Sequence, residues 1–146
     1  MIRVHRGNFL YTLNKIRQSL FAYLESELAK QGIRGIAPSH GDILHILYKK
    51  GTLHLRDLTE LSLKDKSTIT AVISRLEENG YVTRIRDNHD KRLVNIQFTA
   101  KARTIKPALE QISEKMNSQL FEGLSEDEKI TLFNLMAKVS HNAKKL

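Results

Sequence analysis

The chain contains no cysteine and no tryptophan, only two prolines, and 6% aromatic residues. Without thiols, disulfides, thiolate metal sites and thiol-based redox sensing are all excluded. No run approaches the roughly 18 consecutive apolar residues that a membrane-spanning helix needs, so no membrane association is expected. The opening MIRVHRGNFLYTLNK lacks an apolar segment followed by small residues, so no secretory signal is expected and a cytoplasmic protein is the default. Glycine-rich phosphate loops, nucleophile–base pairs and metal-ligand spacings are missing too. Apart from His40 and the His89 of one loop, the histidines His5, His45, His54 and His141 are scattered, and His45, beside an apolar face, is expected to be packed or capped. An enzyme is therefore the poorest reading, with no cofactor and no metal site expected.

Acidic residues are the other shortage. The 146 residues carry 24 Lys or Arg against 16 Asp or Glu, a net charge of +8. The excess is local: residues 49–106 hold 13 basic side chains against 7 acidic ones, while the rest holds 11 against 9. A basic middle points to nucleic acid or another anionic surface.

Apolar periodicity supplies the framework. Phe9, Leu13, Ile16, Leu20, Leu24 and Leu28 recur every three or four residues, which predicts one stripe on a helix over 8–30. Gly32, Gly35 and Pro38 predict a connector. Ser39 is expected to cap a second helix, with Asp42 three residues on and Ile43, Leu44 and Leu47 inward; Lys49-Lys50-Gly51 suits its end. After an extended TLHL at 52–55, Leu55, Leu58 and Leu61 mark a short helix and Ser62-Leu63-Lys64 a turn. Asp65 opens a helix running to about Asn79, with Ile69, Val72, Ile73 and Leu76 on its apolar face and Gly80 closing it. Two helices joined by so short a turn form a helix-turn-helix.

The stretch RIRDNHDKRLVNI at 84–96 follows. Tyr81 to Arg86 and Leu93 to Phe98 read as two strands, with Val94, Ile96 and Phe98 on one face. The expected fold is mainly α with a small β-hairpin, a winged helix-turn-helix whose wing is the charged loop. Further on, Ile105, Leu109, Ile112, Met116 and Leu120 form another stripe, with Pro107 placed in its first turn. Ser125 and Glu128 make a capping box for a last helix bearing Leu132, Phe133, Leu135, Met136 and Val139. The expected division is 1–36 and 103–146 as dimerisation helices around a 37–102 DNA-binding lobe. The terminal stripes lack a partner within one copy, so a symmetric homodimer is expected.

On the 65–79 helix the residues off the apolar face are Lys66, Ser67, Thr70, Ala71 and Ser74, with Thr68 at the edge. Small hydroxyl side chains allow close approach to base edges and can donate or accept. Lys64 and Lys66 flank the helix start, where a phosphate would sit. In the wing, a metal or acid/base site of Asp87, His89 and Asp90 is opposed by the crowding cations Arg84, Arg86, Lys91 and Arg92. Asp90 instead suits an orienting role for Arg92, two residues along an extended segment. A held guanidinium loses less entropy on entering a minor groove, and narrow A·T-rich grooves attract it. The expected DNA-contacting set is thus Lys64, Lys66, Ser67, Thr68, Thr70, Ser74, Arg84, Arg86, His89, Lys91 and Arg92, with Asp90 orienting the wing.

Residues 55–102 closely resemble the MarR family (multiple antibiotic resistance regulators) of bacterial and archaeal transcription factors. The carrying motifs are the helix-turn-helix, the L-E-x-x-G-(aromatic or apolar)-V-x-R junction at Leu76 to Arg84, and the R-D-x-x-D-x-R wing at Arg86 to Arg92. The resemblance implies a homodimer of triangular outline, with interlocked terminal helices, the 65–79 helix in the major groove and the wing arginine in the minor groove. There are two departures. The family's L-T-x-x-G after the wing reads Phe98-Thr99-Ala100-Lys101-Ala102, so the turn into the next helix is expected to differ, and a position often basic in the family is Ala71. Family members often respond to small aromatic or phenolic anions between the dimerisation helices and the DNA-binding lobe; Arg17 and His40 are the corresponding candidates, against ordinary surface or cap roles. A zinc-sensing branch is disfavoured because no histidine falls between Lys91 and His141.

The leading expectation is a dimeric, sequence-specific regulator, a repressor by preference, on a pseudo-palindromic double-stranded operator, with a small-molecule effector as a further partner. The competing one is a winged-helix protein–protein module whose hairpin docks on an acidic partner.

Overall fold

The computed structural model describes residues 8–62 and 64–146; His5 and Leu63 of the turn reading lie outside them. In chain order come α1 (Phe9–Lys30), a 3-10 turn (Pro38–His40), α2 (Gly41–Lys50), β1 (Leu53–His54), α3 (Leu55–Leu61), α4 (Lys66–Glu78), β2 (Val82–Arg86), β3 (Val94–Phe98), α5 (Ala100–Leu120) and α6 (Glu126–Ala143). None of the described helices is long and apolar enough to cross a membrane. The chain divides into two units, one through Ile112 and one over Ser113–Leu146.

In the first unit, α2, α3 and α4 pack with the wing sheet around one core of Ile43, Leu47, Leu58, Ile69, Ile73 and Ile96, all with no exposure. Each such side chain contributes about 1.5–3 kcal/mol by leaving water. The apolar face expected for α4 is the one buried. Asp65 starts the helix by accepting the Thr68 N–H at 2.8 Å. Gly80, at φ +76°, ends it, with the Tyr81 N–H reaching back to the Leu76 carbonyl at 2.8 Å. Only glycine takes that left-handed step cheaply, and the reversal sends the chain straight into β2.

The sheet has three strands rather than two, in the order β1-β3-β2, all antiparallel. The TLHL piece contributes β1, pairing Leu53 with Ile96 and His54 with Asn95. On β3 the alternating Val94, Ile96 and Phe98 turn toward the core, and Arg86 pairs with Val94 where the wing begins.

Several local expectations change. Ser39 caps nothing; it lies inside the 3-10 turn, where the His40 Nδ1 accepts the Ala37 N–H at 3.1 Å. Leu61 is 51% exposed, because α3 is too short for its last turn to reach the core. His45 is exposed, on the solvent side of α2. Pro107 lies inside α5 instead of its first turn, because the helix begins at Ala100, where Thr99 Oγ1 takes the Ala102 N–H at 3.3 Å. The glycine missing from the family motif is replaced by Ala102, fully buried, whose carbonyl accepts the Tyr48 hydroxyl at 2.7 Å. A position already helical needs no glycine.

The second unit is built on the Ser125–Glu128 capping box, with reciprocal bonds of 2.8 and 3.2 Å. Phe121 meets Phe133 edge-on at 5.4 Å. No residue of α6 is buried; Phe133 is 56% and Leu135 54% exposed.

Candidate nucleic-acid interface

The exposed side of α4 opposes its buried stripe. Ser67, Thr70 and Ser74 fall at i, i+3 and i+7 on that side, with Lys66 and Ala71 flanking and Thr68 half-buried at the edge. Asp65 is the anchor of the first turn. It accepts the Ser67 hydroxyl at 2.6 Å, the Thr68 hydroxyl at 3.1 Å and the Thr68 N–H. The Ser67 hydroxyl and the Thr68 bonds hold its carboxyl down at about 2.

The cations divide into committed and uncommitted ones. Lys64 pairs with Asp42 of α2 at 2.7 Å, which ties the helix-turn-helix corner together. Arg84 is turned back onto α4: its guanidinium bonds Glu77 and, at 2.8 Å, the Ser74 hydroxyl, while its own N–H also meets Glu77 at 3.3 Å. Arg84 therefore braces β2 against α4, and Glu77, which spacing did not single out, is its partner. Lys66, Arg86, His89 and Lys91 are exposed.

At the wing tip, Asp87 Oδ1 accepts the N–H groups of Asp90 and His89 at 3.0 and 2.8 Å, and Oδ2 takes the Asn95 amide at 3.2 Å. Those bonds, the Asp90 N–H foremost, hold the Asp87 carboxyl below the usual carboxylate range. Both oxygens are spent on shaping the loop. Asp90 grips Arg92 at both carboxylate oxygens, Nε at 3.0 Å and Nη2 at 3.1 Å, and also takes the Arg92 N–H. The Arg92 side chain nonetheless stands 91% exposed. A bidentate partner fixes the direction of a guanidinium that solvent still reaches.

Between the wing and α3 lies a cleft of about 380 Å³, its polar lining made by His54, Arg56, Thr59, Glu60, Lys66 and Arg92. Spacing marks α3 only as a short helix and does not single out Arg56 and Thr59, which are two of the four polar residues off its leucine stripe. On the far side, the connector after α1 is latched to the end of α4. The Tyr81 hydroxyl donates to the Arg34 carbonyl at 2.6 Å, and Lys101 donates to the Asn79 carbonyl at 2.7 Å while lying 4.5 Å over the Tyr81 ring. Arg17 stacks over Phe21 at 5.5 Å on α1. His40 is buried, and burial, then Arg75 and Lys64, push its imidazole below the usual histidine range.

Comparison with known proteins agrees with this geometry. The MarR family model matches residues 36–94. An uncharacterised HTH-type transcriptional regulator, YwhA of Bacillus subtilis, is 31% identical over 133 residues, covering 87% of this chain and 94% of its own. A MarR protein from Peptoclostridium difficile has a TM-score of 0.84 at 20% identity, covering 99% of this chain and 93% of that one. Bordetella bronchiseptica BpsR, whose DNA binding is regulated by 6-hydroxynicotinic acid, has a TM-score of 0.74 at 22% identity, covering 89% and 96%. Motifs, wing and relatives converge: this chain belongs to the MarR family of winged helix-turn-helix, DNA-binding transcriptional regulators.

Proposed function

We propose that two copies of this chain bind a pseudo-palindromic duplex, each α4 lying in a major groove and each Arg92 entering the adjacent minor groove. The observation that carries this reading is the Asp90–Arg92 pair: a guanidinium held at two points yet almost wholly exposed. The proposed contacts are Lys66, Ser67, Thr68, Thr70 and Ser74 on α4, Arg86, His89, Lys91 and Arg92 on the wing, and Arg56 at the cleft, where a sugar-phosphate strand would pass. Lys64 and Arg84 act behind this surface, holding its parts in place. Recognition helices about one helical turn apart, roughly 34 Å, would match half-sites on one side of the duplex.

The dimer is supported by the exposed apolar residues of α1 and α6, among them Phe9, Ile16, Phe133 and Leu135. Repression, and release by a small aromatic anion, are carried over from the family pattern; BpsR responds to such a molecule. Arg17 and His40 are the proposed residues nearest an effector cleft; because His40 is buried, Arg17 would make the first contact.

The test is titration of duplex DNA from upstream of the protein's own gene. Arg92→Ala is expected to weaken binding by about 1–3 kcal/mol and to relax preference beneath the wing. Log affinity should fall steeply with log salt as phosphate counterions are released. Unchanged binding by Arg92→Ala, or a flat salt response, overturns the arrangement. Capture of an acidic protein partner with no duplex bound would support the protein–protein module instead.

A further inference from the structure

The hydroxyls on the DNA-facing side of α4 are not free rotors. Each is bonded to a group that can act in one sense only. An ionised carboxylate and a backbone carbonyl only accept; a guanidinium only donates. Ser67 donates to Asp65 at 2.6 Å, Thr68 donates to Asp65 at 3.1 Å, and Thr70 donates to the Lys66 carbonyl at 2.8 Å. Their protons are spent inside the protein, so lone pairs are what they offer outward. Ser74 is reversed. Arg84 Nη2 donates to its oxygen at 2.8 Å, and Glu77 on the far side of the guanidinium holds that donor in place. The proton of Ser74 is therefore the one left to point away from the helix.

We infer that α4 reads its half-site with fixed polarity: acceptors at Ser67 and Thr70, which select an exocyclic amino group, and a donor at Ser74, which selects a base acceptor. In the major groove the amino groups are adenine N6 and cytosine N4, and the acceptors are guanine O6 and N7, adenine N7 and thymine O4. The local charges agree. The Asp65 carboxylate lies beneath Ser67 and favours an amino hydrogen, whereas the Arg84 guanidinium lies beneath Ser74 and favours an electron-rich edge. Turning either hydroxyl round would oppose two donors or two acceptors at one bond. This inference deepens the proposed DNA-binding role and rests on it.

The experiment starts from the duplex that the full-length protein selects out of a randomised pool. Within that site, major-groove groups are removed one at a time. Purine in place of adenine, or 2-pyrimidinone in place of cytosine, deletes an amino group. Deaza purines delete N7, and analogues unsubstituted at the carbonyl position delete guanine O6 or thymine O4. Affinities are measured for the natural protein, Ser67→Ala and Ser74→Ala. Ser67 is exposed and Ser74 half-buried. Ser67→Ala leaves the Asp65 bond to the Thr68 N–H in place, and Ser74→Ala leaves the Arg84 bonds to Glu77 in place.

At one position, amino removal is expected to weaken natural protein about threefold to tenfold and Ser67→Ala not at all. At another, acceptor removal should do the same with Ser74→Ala as the insensitive variant. The inference is overturned if Ser67 couples to an acceptor, if Ser74 couples to an amino group, or if neither couples to any base group. A pool that yields no preferred sequence sinks the DNA-reading proposal itself, a separate and recognisable outcome.

Discussion

Gly35→Ala is expected to be costly out of proportion to one added methyl. Gly35 lies in the connector after α1 with φ +81°. A side chain there costs about 1–2 kcal/mol for the left-handed backbone alone. The added Cβ would also stand 2.2 Å from Asn79 Cγ and 2.6 Å from Asn79 Cβ, the latter too near the α4 backbone to swing aside. Asn79 must therefore leave its rotamer and give up its amide bond to the Arg75 carbonyl, 2.8 Å long, for about 1 kcal/mol more. The total is about 2–3 kcal/mol. With a urea slope of about 1–3 kcal/mol per molar, the unfolding midpoint should fall by roughly 1 M at fixed protein concentration. Asn79→Gly removes both the colliding atoms and the bond, so in that background the cost of Gly35→Ala should drop to the backbone share alone, about 1–2 kcal/mol. DNA affinity of the single variant should fall as well, because the same connector is latched to the end of α4 through Tyr81 and Arg34. A midpoint shift equal in both backgrounds, or one below about 0.3 M, would refute the close-packing argument.

Other outcomes follow from the same structure. His40 is held below its usual range, so between pH 7 and pH 5 the unfolded chain takes a proton that the native state resists; stability should fall as pH drops through about 6.5. His40→Ala should flatten that segment of the stability–pH curve, and a flat curve in the natural protein would contradict it. Asp65, lowered to about 2, should contribute stability that is whole above about pH 4 and lost as pH falls toward 2. In Asp65→Asn that acid-side loss should shrink, as followed by helical circular dichroism, with the wing carboxylate Asp87 supplying part of what remains. Phe133→Glu on the exposed face of α6 should shift the sedimentation profile toward monomer and weaken binding to a two-half-site duplex; an unchanged profile would place the dimer contact elsewhere.

Much of the fold could be read from spacing. The α1 stripe, the apolar face of α4, the period-two pattern of β3 and the Ser125 capping box are local regularities, and the helices and strands appear where those regularities lie. Errors gathered where a local signal competed with a distant one. Ser39 has the residue type of a cap for α2, but it lies inside the 3-10 turn that precedes the helix; the His40 imidazole closes that turn on Ala37, and α2 itself starts without a side-chain cap. Pro107 suited a first turn until Ala102, drawn into the core beside Tyr48, extended α5 backwards. The two-residue β1 was legible as extended chain but not as a third strand, because its partner lies some forty residues on.

What the sequence determined by itself is the inventory: a basic middle without thiols, a helix bearing hydroxyls opposite an apolar stripe, and a wing in which residues two apart, Asp90 and Arg92, can meet without help from the rest of the chain. Only the tertiary structure decided which of the similar-looking cations remain available. Arg84 is taken up by Glu77 and Ser74, Lys64 by Asp42, while Arg92 stays exposed. The physical reason is range. Periodicity and capping act over three or four residues, whereas the partner of a charged side chain is chosen by whichever element folding brings alongside it.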